Sequence, residues 1–259
     1  MIFESHAHYD DDAFEEDRDS LLHAMNQQGI GYIIDVGASL SSTKQAISLA
    51  EKYPFVYAAA GVHPSDTDEL NEENFQWLKN QCQRKKVVAV GEIGLDYHYP
   101  DTNKEEQQLW FSRQLQLANE VQLPVIIHSR DAAKDTIDIM KREAPVEKGG
   151  VVHCYSYTKE LAREFLDMGY YFGIGGVLTF KNGRKLREAV EYIPMDRLLI
   201  ETDSPYLAPE PYRGKRNCSL YLPYVVEELA KIKGISAREV VDITRENGCR
   251  LFLQNRNLL

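Results

Sequence analysis

Apolar, β-branched runs recur at 2–8, 31–36, 56–62, 87–91, 124–127, 150–153, 170–175 and 198–202, and this eightfold repeat constrains the fold more than any other feature. Helical spacing fills the intervals at 14–28, 41–53, 71–84, 103–120, 131–143, 158–168 and 182–192, with two further helices near 219–233 and 236–253. Strands that alternate strictly with helices must pair in parallel, because each return crosses over through a helix. Eight such units close on themselves. The sequence therefore predicts an α/β chain folded as a single (β/α)8 TIM-type barrel with an additional C-terminal helix, and 259 residues match the roughly 250 that such a barrel needs. Local signals agree: Ser41-Ser42 precede the second helix, Asp131 opens the fifth, and Ser236 with Glu239 forms a capping box for the last. Gly29, Gly149-Gly150 and Gly169 stand where helices should stop. No linker, charge block or low-complexity segment divides the chain, so residues 1–259 read as one domain.

Composition narrows the function. A hydrophobic content of 43% with 27% charged residues suits a water-soluble enzyme, and no run approaches the ~20 apolar residues of a membrane span. The first strand begins at Ile2, leaving no room for a removable targeting peptide. Cys82, Cys154, Cys218 and Cys249 are scattered without C-x-x-C spacing, which argues against a disulfide framework or a thiolate zinc site and fits a reducing cytoplasm. A net charge of −10 disfavours broad adhesion to nucleic acid, so any polyanion must be gripped locally.

In a parallel barrel, the loops after the strands meet at one rim, and chemistry gathers there. His6 and His8 end the first strand, His63 the third, Glu92 the fourth, His128 the fifth, His153 the sixth and Asp203 the eighth. Five of the seven histidines thus sit at strand ends, while His23 and His98 fall on a helix surface and a loop. Side chains two apart on a strand leave the same face, which makes His6 and His8 a chelating pair. Glu92, lying between the two histidine groups, is placed to bridge two cations. His6, His8 and Asp203 would complete one site, with His128 and His153 completing the other. Two cations roughly 3.5–4 Å apart activate a water and steady the attacking and leaving oxygens of a phosphoryl displacement. Asp203 could take the proton. A mixed His and carboxylate set suits magnesium, manganese or zinc.

These residues carry a resemblance. Ser5-His6-Ala7-His8, Gly61-Val62-His63-Pro64, Gly91 to Tyr97, Ile127-His128-Ser129-Arg130, His153-Cys154-Tyr155-Ser156 and Glu201 to Leu207 resemble the TatD-like metal-dependent deoxyribonucleases, and the likeness continues through Pro211 to Asn217 and Asn247 to Phe252. The resemblance implies a divalent-metal hydrolase on an α/β barrel, acting as a 3′-to-5′ exonuclease on DNA and sometimes RNA. It assigns metal binding to His6, His8, Glu92, His128, His153 and Asp203; the residues themselves mark Glu92, as the bridge, and Asp203, as the proton acceptor, as the catalytic carboxylates. It involves no membrane and no obligatory protein partner. Two departures bear on substrate preference: Tyr157 where the family has glycine, and Cys218-Ser219 where an acidic residue and proline are usual.

Substrate contacts are read from position. His63 is assigned to a supporting or phosphate-binding role. Arg130 either grips a phosphate in bidentate fashion or pairs with an acidic neighbour such as Glu201. Arg213, Lys215 and Arg216, just past the eighth strand, are assigned to phosphate, the alternative being a solvated loop. Tyr155, Tyr206 and Tyr212 are candidates for base stacking. Three rival functions stay open: an ester hydrolase acting on misacylated transfer RNA, an amidohydrolase acting on a small molecule, and a noncatalytic metal-binding protein. Amidohydrolases of this kind commonly carry a carboxylated lysine on strand four, where this chain has Glu92.

Overall fold

The computed structural model describes residues 1–143, 145–256 and 258. Eight strands, β1 (Ile2–Ala7), β2 (Ile30–Val36), β3 (Val56–Ala60), β4 (Val87–Asp96), β5 (Val125–Arg130), β6 (Gly150–Val152), β7 (Tyr171–Ile174) and β8 (Leu198–Ile200), pair in parallel in chain order. The ring closes through the ends of β1 and β8. Ala7 bridges to Ser204, the amide of His8 donates to the Ser204 carbonyl (2.8 Å), and that of Asp203 donates to the His6 carbonyl (2.9 Å). The last two bonds also clamp two of the predicted ligand segments together.

Helices α1 (Arg18–Gln27), α2 (Leu40–Lys52), α3 (Glu72–Gln81), α4 (Lys104–Val121), α5 (Ala133–Arg142), α6 (Lys159–Asp167), α7 (Arg184–Tyr192) and α8 (Leu222–Lys233) follow the strands in turn, and α9 (Ala237–Gly248) is the extra C-terminal helix. Outward strand residues such as Ile33, Val90 and Ile127 pack with Leu22, Leu115 and Phe165 of the helices in one large core cluster. Each such fully buried side chain is worth about 1.5–3 kcal/mol of transfer free energy. A second cluster fills the barrel: Phe3, Ile34, Tyr57, Val88, Ile126, Val151 and Leu199 point inward.

Several boundaries differ from the sequence expectation. The first helix starts at Arg18, because Asp11 caps a separate short turn at Asp12–Phe14 by accepting from the Ala13 amide. Ser39, rather than Ser41-Ser42, caps α2 by accepting from the Ser42 amide, and Asp131 takes a positive φ instead of capping α5. The capping box at Ser236 and Glu239 forms as expected. The final helix ends at Gly248 and widens into a π turn over Cys249–Leu253, whose Leu251, Phe252 and Leu253 plug the barrel floor against Phe3. β4 runs five residues past its expected end, which places Glu92 inside the strand. Gly94 makes this extension possible: at φ +148° it lies so close to β5 that a Cβ would sit 1.9 Å from the His128 carbonyl oxygen.

Candidate metal centre

The inward columns that are apolar at the barrel floor become polar at the rim. Strand alternation carries Ile126 to His128, Val151 to His153, and Leu199 through Glu201 towards Asp203, whereas β4 reaches Glu92 through two register shifts, one between Val87 and Ala89 and one between Val90 and Ile93. β1 needs a correction of phase. Phe3 points inward, but between Glu4 and Ala7 it advances three residues while β2 advances two, from Ile33 to Asp35. The extra residue is a bulge, and it leaves Ala7 in the outer core and turns both His6 and His8 inward.

The six predicted ligands meet. Glu92 is at the centre, buried, with one carboxylate oxygen towards each histidine group. Its Oε2 lies 3.3 Å from His6 Nε2 and 3.6 Å from His8 Nε2, and its Oε1 lies 2.7 Å from both His128 Nδ1 and His153 Nε2. Asp203 Oδ1 faces the first group, 3.6 Å from His6 Nε2 and 3.5 Å from His8 Nε2. Three sets of donor atoms, each set lying within 4.8 Å, can hold a cation: His6, His8 and Asp203; His63, Glu92 and His128; and His6, His153 and Glu201. His8, His63, Glu92, His128, His153 and Asp203 line a cavity of about 670 Å³, with His6 and Glu201 buried behind it.

The charge pattern is that of a cation site in which protons stand where the cations would be. Burial opposes ionisation of Glu92, but the surrounding histidines, His153 first, hold its carboxyl well below the usual range. Burial likewise opposes charge on His8, yet the Asp203 hydrogen bond and Glu92 outweigh it and lift the imidazole to about 10. His153 and His128 are raised against burial, by Glu92 and by Asp96 respectively, whereas burial and His153 lower His6. His6 and His8 place their Nε2 atoms 3.1 Å apart, and the buried Nδ1 atoms of His6 and His153 have no hydrogen-bond partner. Crowded imidazole nitrogens around one low-pKa carboxylate fit divalent cations by the chemistry of their donors.

Supporting acceptors set the ring orientations. His8 Nδ1 lies 2.7 Å from the Val36 carbonyl, and His128 Nε2 lies 3.3 Å from Asp96. His63 differs. Its Nδ1 accepts the Ser65 amide, so the neutral ring carries its proton on Nε2, 3.7 Å from Glu92, and burial holds its pKa down to about 3. In this tautomer Nε2 offers a proton to the cavity, and the ring joins the His63, Glu92 and His128 donor set only by giving that proton up.

The basic residues divide. Arg130 lines the cavity, with Nη1 4.0 Å from Asp96, while Glu201, expected as its partner, lies beneath His153. Arg213, Lys215 and Arg216 are absent from the cavity wall. Arg216 forms a bidentate pair with Asp17 (2.8 and 2.5 Å), Arg213 stacks on Phe180 at 4.3 Å, and Lys215 lies over Tyr212. Of the stacking candidates, Tyr206 is exposed on the cavity rim, Tyr155 is buried, and Tyr212 stacks on Tyr221. The two departures from the family pattern are both structural contacts. The Tyr157 hydroxyl hydrogen-bonds Ser129 (3.0 Å) beside His128, and Ser219 donates to buried Glu4 (2.9 Å) beneath β1. His23 is exposed on α1, and His98 pairs with Asp131 outside the cluster.

Asp96 and Glu201 were missed as site residues, although spacing marks both. Glu201 stands two residues before Asp203 and Asp96 four after Glu92, each in phase with its ligand.

A parallel barrel with a cluster of imidazoles and carboxylates at its C-terminal rim defines the class as a metal-dependent hydrolase. The sequence profile of the family described as TatD related DNase matches residues 3–253, and the chain belongs to that family. It is 42% identical to the uncharacterized metal-dependent hydrolase YabD of Bacillus subtilis (strain 168), over 98% of this chain and all of that one. It is 35% identical to the 3′-5′ ssDNA/RNA exonuclease TatD of Erwinia tasmaniensis, over 92% of this chain and 95% of that one. The crystal structure of YJJV, a TatD homolog from Escherichia coli K12, superposes with a TM-score of 0.92 at 32% identity, covering 97% of both chains. Among the described residues, no helix is long and apolar enough to cross a membrane.

Proposed function

We propose that this hydrolase cleaves phosphodiester bonds, removing nucleotides from the 3′ end of single-stranded DNA and, in the same cavity, RNA. The observation that carries this reading is the two-faced placement of Glu92, which gives two adjoining cation positions one shared carboxylate. His6, His8 and Asp203 serve one position, and His128 and His153 serve the other. Divalent magnesium, manganese or zinc bound there would supply Lewis acidity to a phosphoryl group and acidify water. Asp203, still partly open to the cavity, is the residue to accept the proton. His63 presents an Nε2 proton to a non-bridging phosphate oxygen.

Among the described residues lining the cavity, Arg130 is the sole arginine or lysine, while Asp66 and Asp96 line the same wall. One cation grips one phosphate, and neighbouring carboxylates repel a continuing backbone. This supports short strands and ends over long duplex, and it predicts weak salt dependence, since the slope scales with the number of phosphates neutralised. The names of the exonuclease relatives support the same substrate class. The test is parallel incubation of metal-loaded protein with end-labelled single-stranded DNA, RNA and misacylated transfer RNA. Stepwise shortening from the 3′ end, lost with chelator and in Glu92→Gln, is expected. Deacylation of transfer RNA without shortening of either strand would overturn the reading.

A further inference from the structure

In the third donor set, His6, His153 and Glu201, both imidazoles already serve the cation positions, and Glu201, beneath them, is the member with no task in the reading above. All three residues are buried, and the two imidazoles stack with centroids 3.9 Å apart and planes 12° apart. Their Nδ1 atoms lack hydrogen-bond partners, which is costly for buried polar groups. The nearest anion is Glu201, whose Oε1 lies 3.6 Å from His153 Nδ1. Glu201 is itself held in place. The Cys154 amide donates to Oε1 (2.5 Å), and the Ser5 hydroxyl donates to Oε2 (3.3 Å).

β7 makes room for this carboxylate. A Cβ on Gly173 would fall 2.0 Å from Glu201 Oε2 and 2.4 Å from its carboxyl carbon. Bonds from two sides leave the carboxylate no free direction in which to yield. The glycine is required by what fills the barrel interior, since the backbone at Gly173 has no positive φ that would favour it.

We propose that Glu201 is the positioning residue of the metal centre: seated in the space left by Gly173, it orients His153, and through the ring stack His6, so that their Nε2 atoms face the cations. Glu201, 3.6 Å away, is the acceptor that the His153 Nδ1–H faces, which fixes the tautomer with the Nε2 lone pair towards Glu92 and makes that nitrogen a stronger donor. Asp96 has the matching place behind His128, and the Val36 carbonyl has it behind His8. Glu201 thereby adds a third backing acceptor, behind His153. The proposal rests on the metal centre described above, and its test separates the two.

Metal-free protein is titrated with cobalt(II), followed by calorimetry and by the visible spectrum of the bound ion, with folding checked by circular dichroism. The parent is expected to bind two ions. Glu201→Gln keeps the size but not the charge, and it should weaken binding by about 10–100-fold and change the spectrum. Gly173→Ala should do the same by displacing the carboxylate, and adding Glu201→Asp to that variant should recover part of the loss, because the shorter side chain clears the new methyl. A folded Glu201→Gln with parental affinity and spectrum would overturn the proposal. If that variant does not fold, Gly173→Ala decides on the same criteria. A third ion in the parent that Glu201→Gln loses would make Glu201 a ligand and overturn it too. A parent that binds no ion overturns the metal centre itself, and this inference with it.

Discussion

The two mouths of the barrel use the same inward columns for opposite ends. At the floor, Phe3, Tyr57, Val88 and Val151 are closed over by Leu251, Phe252 and Leu253 in a cluster without ionised side chains. At the rim, two to four residues further along, Glu92, His128, His153 and Asp203 crowd ionisable groups into a half-open cavity. The floor contributes apolar burial, whereas the rim costs stability unless a cation neutralises it. The difference assigns folding to one mouth and chemistry to the other, and substitutions at each should separate accordingly.

The sharpest contrast is expected at Glu92 and Asp203. Glu92→Gln or Asp203→Asn should lower kcat by at least about a thousandfold, on the order of 4 kcal/mol of transition-state stabilisation, while the metal-free protein still unfolds cooperatively. Loss of that cooperative transition would break the division. Next comes Phe252→Ala at the floor. It should cost about 3–5 kcal/mol in denaturant unfolding, while the folded fraction keeps its metal affinity.

The rim should also show its charge in pH dependence. In the metal-free protein His8 is held protonated up to about pH 10, above its ordinary value of 6.5. A raised folded-state pKa contributes stability fully below pH 6.5 and loses it as pH climbs through the folded value. A cation must displace that proton, so zinc affinity measured by calorimetry should rise by roughly tenfold or more between pH 6 and pH 8, with proton release in the same titration. Flat affinity would place His8 outside the metal shell.

Smaller effects test the basic residues. Arg130→Ala should raise KM about tenfold, with a weaker effect on kcat, because it removes a phosphate grip from the cavity wall. Arg216→Met should leave KM unchanged and cost no more than about 1 kcal/mol, since an exposed pair with Asp17 is screened by water. A KM effect as large as that of Arg130 would extend the substrate path onto the loop after β8.

Much of this was legible along the chain. Eight strand-helix units required a barrel, and the strand-end positions of His6, His8, Glu92, His128, His153 and Asp203 required that they converge. The placement of the basic run Arg213 to Arg216 off the cavity wall was not legible, because linear position past β8 does not reveal that Arg216 pairs with Asp17, distant in sequence. Glu201 was readable by its two-residue phase with Asp203, but its purpose was not, because the space it fills belongs to Gly173 on another strand.

The sequence by itself determined the architecture and the donor set, since periodicity of two or 3.6 residues and the chemistry of side chains are local properties. The tertiary structure alone decided which nitrogen of each imidazole faces inward, which arginine meets the cavity and where the bulge in β1 falls. Those depend on distances between segments up to two hundred residues apart, and pairing register, packed volume and charge neighbours set such distances only when the ring closes.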